Sequence, residues 1–72
     1  MQYLFTNTRQ LRTAFREEFK GQLDFSLIPN HRGTGKMYKA TTRLSFINWL
    51  DYLYRENLIS ERLARTATFE PD

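Results

Sequence analysis

The sequence predicts a mainly α fold: a small single domain of about three helices, at roughly 7–21, 41–57 and 60–66, interrupted by a short β-hairpin or an irregular loop in 22–40. Three observations predict it. From Thr41 to Asn57, the side chains of Phe46, Ile47, Trp49, Leu50, Leu53 and Tyr54 fall within an arc of roughly 160° at helical spacing. Leu11, Ala14, Phe15 and Phe19 recur with the same period. Between these stretches the periodicity stops, and Pro29-Asn30 and Gly33-Thr34-Gly35 supply turn chemistry.

The 72 residues span one domain, 1–72, with ends expected to fray. A chain this short buries only about 60% of its unfolded surface, so its core is marginal. It has no cysteine to staple it, and its six Phe, four Tyr and one Trp must carry the packing, alone or with help from a weak homodimer.

Each element has a local reason. Residues 1–6 are β-prone and read either as a brief strand or as a tail across the core. Asn7 with Gln10 three residues on is a capping-box arrangement that opens the first helix. Gly21 is placed to end it with positive φ. Its apolar face is narrow enough for a single partner. LDFSLI at 23–28 then alternates as a strand does, and Met37-Tyr38 is again β-prone, so a hairpin is the better fit for this segment. Thr41 or Thr42 caps the central helix, Asp51 and Arg55 pair across one turn, and Asn57 closes it in the left-handed conformation. Leu58 and Ile59 anchor a turn, Ser60 caps a short helix that buries Leu63 and Ala64, and Phe69 tucks back on the core.

The charge is unevenly placed. Eleven Lys and Arg stand against eight Asp and Glu, a net charge of +3. Yet residues 1–16 hold Arg9, Arg12 and Arg16 with no acid, and residues 25–50 hold Arg32, Lys36, Lys39 and Arg43 with no acid. Arg9, Arg12, Arg16 and Lys20 share an arc of about 80° on the first helix, a cationic stripe that suits phosphates or an acidic partner. A second basic group mixes cations with an aromatic ring: His31, Arg32, Lys36, Tyr38, Lys39 and Arg43. Cations hold phosphates and a ring can stack on a base, although Tyr38 serves equally well as a packing residue at the root of the loop. Arg43 sits in the middle of the apolar arc, where it either snorkels past the core or joins Lys36 and Lys39 in a site. Leu44 and Tyr52 point away from that arc and are candidates for a protein interface.

Other chemistries find little support. Gly33-Thr34-Gly35-Lys36 lacks a P-loop's first glycine, because Asn30 stands there, and Met37 replaces the Ser or Thr that should follow the lysine. A helix-turn-helix at 42–66 would have a one-residue turn and an acid, Glu61, at the start of its reading helix, where phosphates would be met badly. One His, no Cys and no acidic cluster leave neither a catalytic constellation nor a metal site. The expectation is a non-enzymatic protein with no cofactor and no catalytic or metal-binding residues. With no secretory leader and no run of about 18 apolar residues, it is expected neither in nor across a membrane but in the cytoplasm.

The residues Tyr38-Lys39-Ala40-Thr41-Thr42-Arg43, Phe46, Trp49-Leu50-Asp51, Leu53, Ile59-Ser60, Leu63-Ala64 and Ala67-Thr68, with the opening Asn7 to Phe15, resemble small uncharacterised proteins encoded by bacteriophages and prophages. The similarity runs over about residues 7–69 and is weakest at 16–37. It lends no activity; it implies a phage-type accessory or regulatory protein in a bacterial host cell, acting by binding. Two partners suit the residues: nucleic acid through the basic face, or a host or phage protein that the chain modulates.

Overall fold

A computed structural model describes residues 3–30, 33 and 35–71. Three helices and one hairpin follow in the order α1 (Thr8–Glu18), β1 (Leu27–Pro29), β2 (Lys36–Tyr38), α2 (Ala40–Arg55) and α3 (Glu61–Thr66). The expected mainly α architecture with a short hairpin is the one observed.

The cap of α1 forms as the sequence leads one to expect, with one variation. Asn7 Oδ1 accepts from the Gln10 N–H at 2.9 Å, but Gln10 Oε1 reaches past Asn7 to the Thr6 N–H at 2.7 Å. Two donors at this helix entrance are thereby satisfied locally. The helix stops at Glu18, and a further turn follows, in which the Phe19 carbonyl accepts from Gln22 and Leu23 and Gly21 takes φ +81°. A side chain at that φ is strained, which is why glycine stands there.

β1 and β2 pair antiparallel in the register Leu27 with Tyr38, Ile28 with Met37 and Pro29 with Lys36. Both strands are edges, so the missing N–H of Pro29 costs the ladder little. The hairpin tip is drawn in by the Asn30 N–H bonding the Gly35 carbonyl at 3.1 Å.

α2 begins one residue earlier than expected and without a side-chain cap: Lys39 occupies the N-cap position, and neither Thr41 nor Thr42 serves. Thr42 is instead 1% exposed, and its hydroxyl donates to the Asp24 carbonyl at 2.6 Å. Tertiary demand has taken the hydroxyl that local geometry offered as a cap. The Asp51–Arg55 pair forms at 3.0 Å, and Asn57 takes φ 59° to end the turn. Ser60 caps α3 by accepting from the Leu63 N–H at 3.1 Å.

The core is an aromatic cluster centred on Phe15, which is fully buried. Its ring meets Phe19, Phe25, Phe46, Trp49 and Phe69 at centroid distances of 4.8, 5.9, 5.1, 5.4 and 5.0 Å. The face of α1 therefore packs against several segments rather than a single partner. Leu50, Leu53, Ile59 and Leu63 extend the cluster along α2 and α3. The buried arc of α2 is narrower than the sequence suggests, because Ile47 is 57% and Tyr54 41% exposed. Irregular segments fill the difference: Phe25 from the loop before β1, Phe69 from the C-terminal segment, and Phe5, whose ring stands 5.9 Å from Trp49. Residues 3–6 form a laid-on segment, not a strand, and the Leu4 and Phe5 N–H groups share the Leu58 carbonyl. Among the described residues no helix is long and apolar enough to cross a membrane.

Candidate functional site

The cationic stripe of α1 is not uniformly offered to solvent. Arg9 and Lys20 are exposed. Arg12 turns onto the C-terminal segment: its Nε donates to the Thr68 carbonyl at 2.8 Å, its Nη2 donates to Thr68 Oγ1 at 3.3 Å, and the Glu70 carboxylate lies 4.0 Å away. Arg16 donates to the Tyr38 hydroxyl at 3.4 Å. Two of the four stripe residues thus bind the protein's own surface, where the helical wheel shows only a common direction.

Tyr38 resolves toward packing. Its ring is 6% exposed and stacked on Phe69, with centroids 4.3 Å apart and planes 25° from parallel. A ring engaged in this way has no face to give to a base, so its part in the basic surface is the hydroxyl that meets Arg16.

Lys39 is also engaged. Its Nζ hydrogen-bonds Asp24 Oδ2 at 2.5 Å, and Asp24 Oδ1 accepts from the Ser26 N–H at 2.9 Å. The hydrogen bond from Lys39, and then those from Ser26, hold the Asp24 carboxyl well below the usual carboxylate range. The sign of its pH effect follows. A carboxyl with a folded pKa below its unfolded value of about 3.9 contributes stability that is complete above that value and is lost as pH falls through the folded one. Asp24→Asn is therefore expected to lower the melting temperature near neutral pH, with the gap to the parent protein closing below about pH 4. Melting curves across that range check this; a gap that persists in acid would mean that the carboxylate charge is not what matters.

Lys36 and Arg43 are different. Lys36 is exposed at the start of β2, opposite Pro29. Arg43 is half-buried in the first turn of α2, and its Nε is a buried donor with no hydrogen-bond partner. Leaving such a donor unpaired costs about 1–3 kcal/mol, so a protein that tolerates it needs a compensating reason. Neither residue makes an ion pair among the described residues. Both line a recess of about 220 Å³ with Asn30, Met37, Phe69, Glu70 and Pro71. A second, more apolar recess of about 160 Å³ lies alongside, walled by Arg43, Phe46, Ile47 and residues 67–70. A larger hollow of about 540 Å³ sits elsewhere, between residues 4–7 and α1, with Arg9 as the charged residue in its wall. It gathers none of the other candidate cations.

The C-terminal segment is the organiser that sequence reasoning missed. Arg12 from α1 holds Thr68, Tyr38 from β2 stacks on Phe69, and Arg43 and Lys36 border Phe69 and Glu70. Residues far apart in the chain are brought to one face because Phe69 is drawn into the core. The signal was present: an expectation that Phe69 tucks inward carries Glu70 with it.

His31 and Arg32 lie outside the described residues. Leu44 and Tyr52 are 57% and 55% exposed, and with Ile47 and Tyr54 they leave much of the outer surface of α2 apolar. Among the described residues, no three His, Cys, Asp or Glu side chains gather as metal ligands. Compared with known proteins, the chain matches no family model, no curated protein and no solved structure.

Proposed function

We propose that this protein acts by binding nucleic acid through the face built around Lys36 and Arg43, as a small non-enzymatic accessory or regulatory protein. The observation that carries the reading is the convergence of Lys36 and Arg43, from two different elements, on one recess beside the C-terminal segment, neither with an ion pair among the described residues. Arg12 meets the same segment at Thr68 and Arg16 meets Tyr38 of β2, and both extend the positive field. Exposed Arg9 and Lys20 add longer-range attraction. Cations placed so as to neutralise phosphates give affinity with little sequence preference, because base edges are not being read. The resemblance of residues 7–69 to phage and prophage proteins supports a setting in a bacterial host cell.

The test is binding of fluorescently labelled duplex and single-stranded DNA, followed by anisotropy across salt concentrations. Affinity is expected to fall steeply with salt. Replacing Lys36 and Arg43 together with Ala should weaken binding and shallow the log–log salt slope by about two. The gap between variant and parent should then close about tenfold as salt rises from about 50 to about 200 mM. No binding of DNA or RNA at low salt and micromolar protein would reject the reading.

A protein partner is the second reading, and the exposed Leu44, Ile47, Tyr52 and Tyr54 favour it. A pull-down from nuclease-treated bacterial lysate separates the two. A stoichiometric protein that survives nuclease supports the second reading, and recovery of nucleic acid alone supports the first.

A further inference from the structure

We infer that the recess between β2 and the first turn of α2 is a seat for a single phosphate group, with Glu70 as its built-in competitor. The proposal rests on the nucleic-acid reading for its biological sense and narrows it to one place and one chemical group.

Three features of the recess carry it. First, Arg43 lines the recess, and its Nε is buried without a hydrogen-bond partner, so the side chain has donor capacity that the protein itself leaves unused. A guanidinium offers its donors in a rigid planar fork, which matches the oxygens of a phosphate better than it matches water. Second, Lys36 lines the same recess from β2 as a second positive charge, with Asn30 beside it in the wall. Third, the remaining walls of Met37, Phe69 and Pro71 are apolar. Apolar walls lower the local dielectric and strengthen the attraction between the cations and an anion.

Glu70 is the anion that the protein itself supplies at this place. It lines both recesses beside Arg43, and its carboxylate stands 4.0 Å from Arg12. An incoming phosphate meets this negative charge at the rim and is weakened by it. The Arg12 guanidinium offers this exposed carboxylate a second partner, so the recess is restrained and not sealed.

The experiment is a titration of isotopically labelled protein at constant ionic strength, following the Arg43 Nε–Hε resonance. Inorganic phosphate is compared with chloride, and a short 5′-phosphorylated oligonucleotide with its dephosphorylated counterpart. Phosphate is expected to move the Arg43 resonance saturably while chloride does not. Lys36→Gln, at an exposed position that leaves the core intact, should abolish saturation. Glu70→Gln should bind about two- to fivefold tighter, the range an exposed charge contributes. A response to the phosphorylated oligonucleotide alone assigns the seat to a terminal phosphate, and an equal response to both assigns it to backbone phosphates. An unmoved Arg43 resonance, or the same movement with chloride, overturns the seat. Tightening absent in Glu70→Gln overturns the competitor. DNA binding with an unmoved Arg43 would sink this inference and leave the nucleic-acid reading standing. Phosphate binding without DNA binding would do the reverse.

Discussion

Phe15→Ala is expected to remove a large part of the protein's stability. The ring is fully buried and lies against five other aromatic rings, so its removal loses the transfer energy of a large side chain and leaves a cavity. Such changes cost about 3–5 kcal/mol. A domain of this size has a total stability of roughly 4–10 kcal/mol on the usual per-residue scale, and a marginal core puts it toward the lower end. Urea denaturation followed by circular dichroism measures the loss, with Leu44→Ala at an exposed site as the reference, expected to stay within about 0.5 kcal/mol of the parent. A cost for Phe15→Ala below about 1 kcal/mol would show that this ring is not the centre of the core.

Phe69→Ala is expected to cost about 3 kcal/mol, at the lower end of the same range. The ring is 3% exposed, stacked on Tyr38 and 5.0 Å from Phe46, but it enters from an irregular segment that can relax toward the space it vacates. The consequence for the basic face matters more than the number. Without the ring, residues 68–71 lose their apolar anchor, and the hold of Arg12 on the Thr68 carbonyl is expected to loosen. Hydrogen exchange should accelerate at the Ala67 N–H, which bonds the Leu63 carbonyl, while the amides in the middle of α2 change only with global stability. Uniform acceleration everywhere would mean that the segment is no separate unit.

The parts of the fold that the sequence displays are those decided within a few residues. Asn7 and Ser60 begin helices through bonds to their own neighbours, and Gly21 and Asn57 take positive φ in the turns just beyond the ends of α1 and α2 rather than at the helix caps. Asp51 with Arg55 is legible for the same reason. What could not be read locally is what the chain does at a distance. Thr42 is a good cap in isolation, but it is buried against the Asp24 carbonyl. Ile47 and Tyr54 share an arc with Phe46 and Leu50, yet loop aromatics take the space they would have filled. The candidate site divides in the same way. A helical wheel places Arg9, Arg12 and Arg16 on one side of α1, but Lys20 falls in the turn beyond the helix, and the wheel cannot show that Thr68 and Tyr38 come to meet Arg12 and Arg16. The asymmetric charge pattern drew attention to Lys36 and Arg43, and it carried no hint that Asn30 and Glu70 would stand beside them.

The grip of Arg12 on Thr68 also bears on the order in which the molecule assembles. These residues stand 56 positions apart. Closing a loop of that length costs about 2 kcal/mol more entropy than a contact four positions apart. α2, its turn and α3 need only short closures, so they are positioned to come together early and offer a surface to which α1 and the C-terminal segment later dock. The Arg12–Thr68 edge of the basic face therefore exists only once the chain has closed nearly end to end, whereas Lys36 and Arg43 need only a short closure to come together.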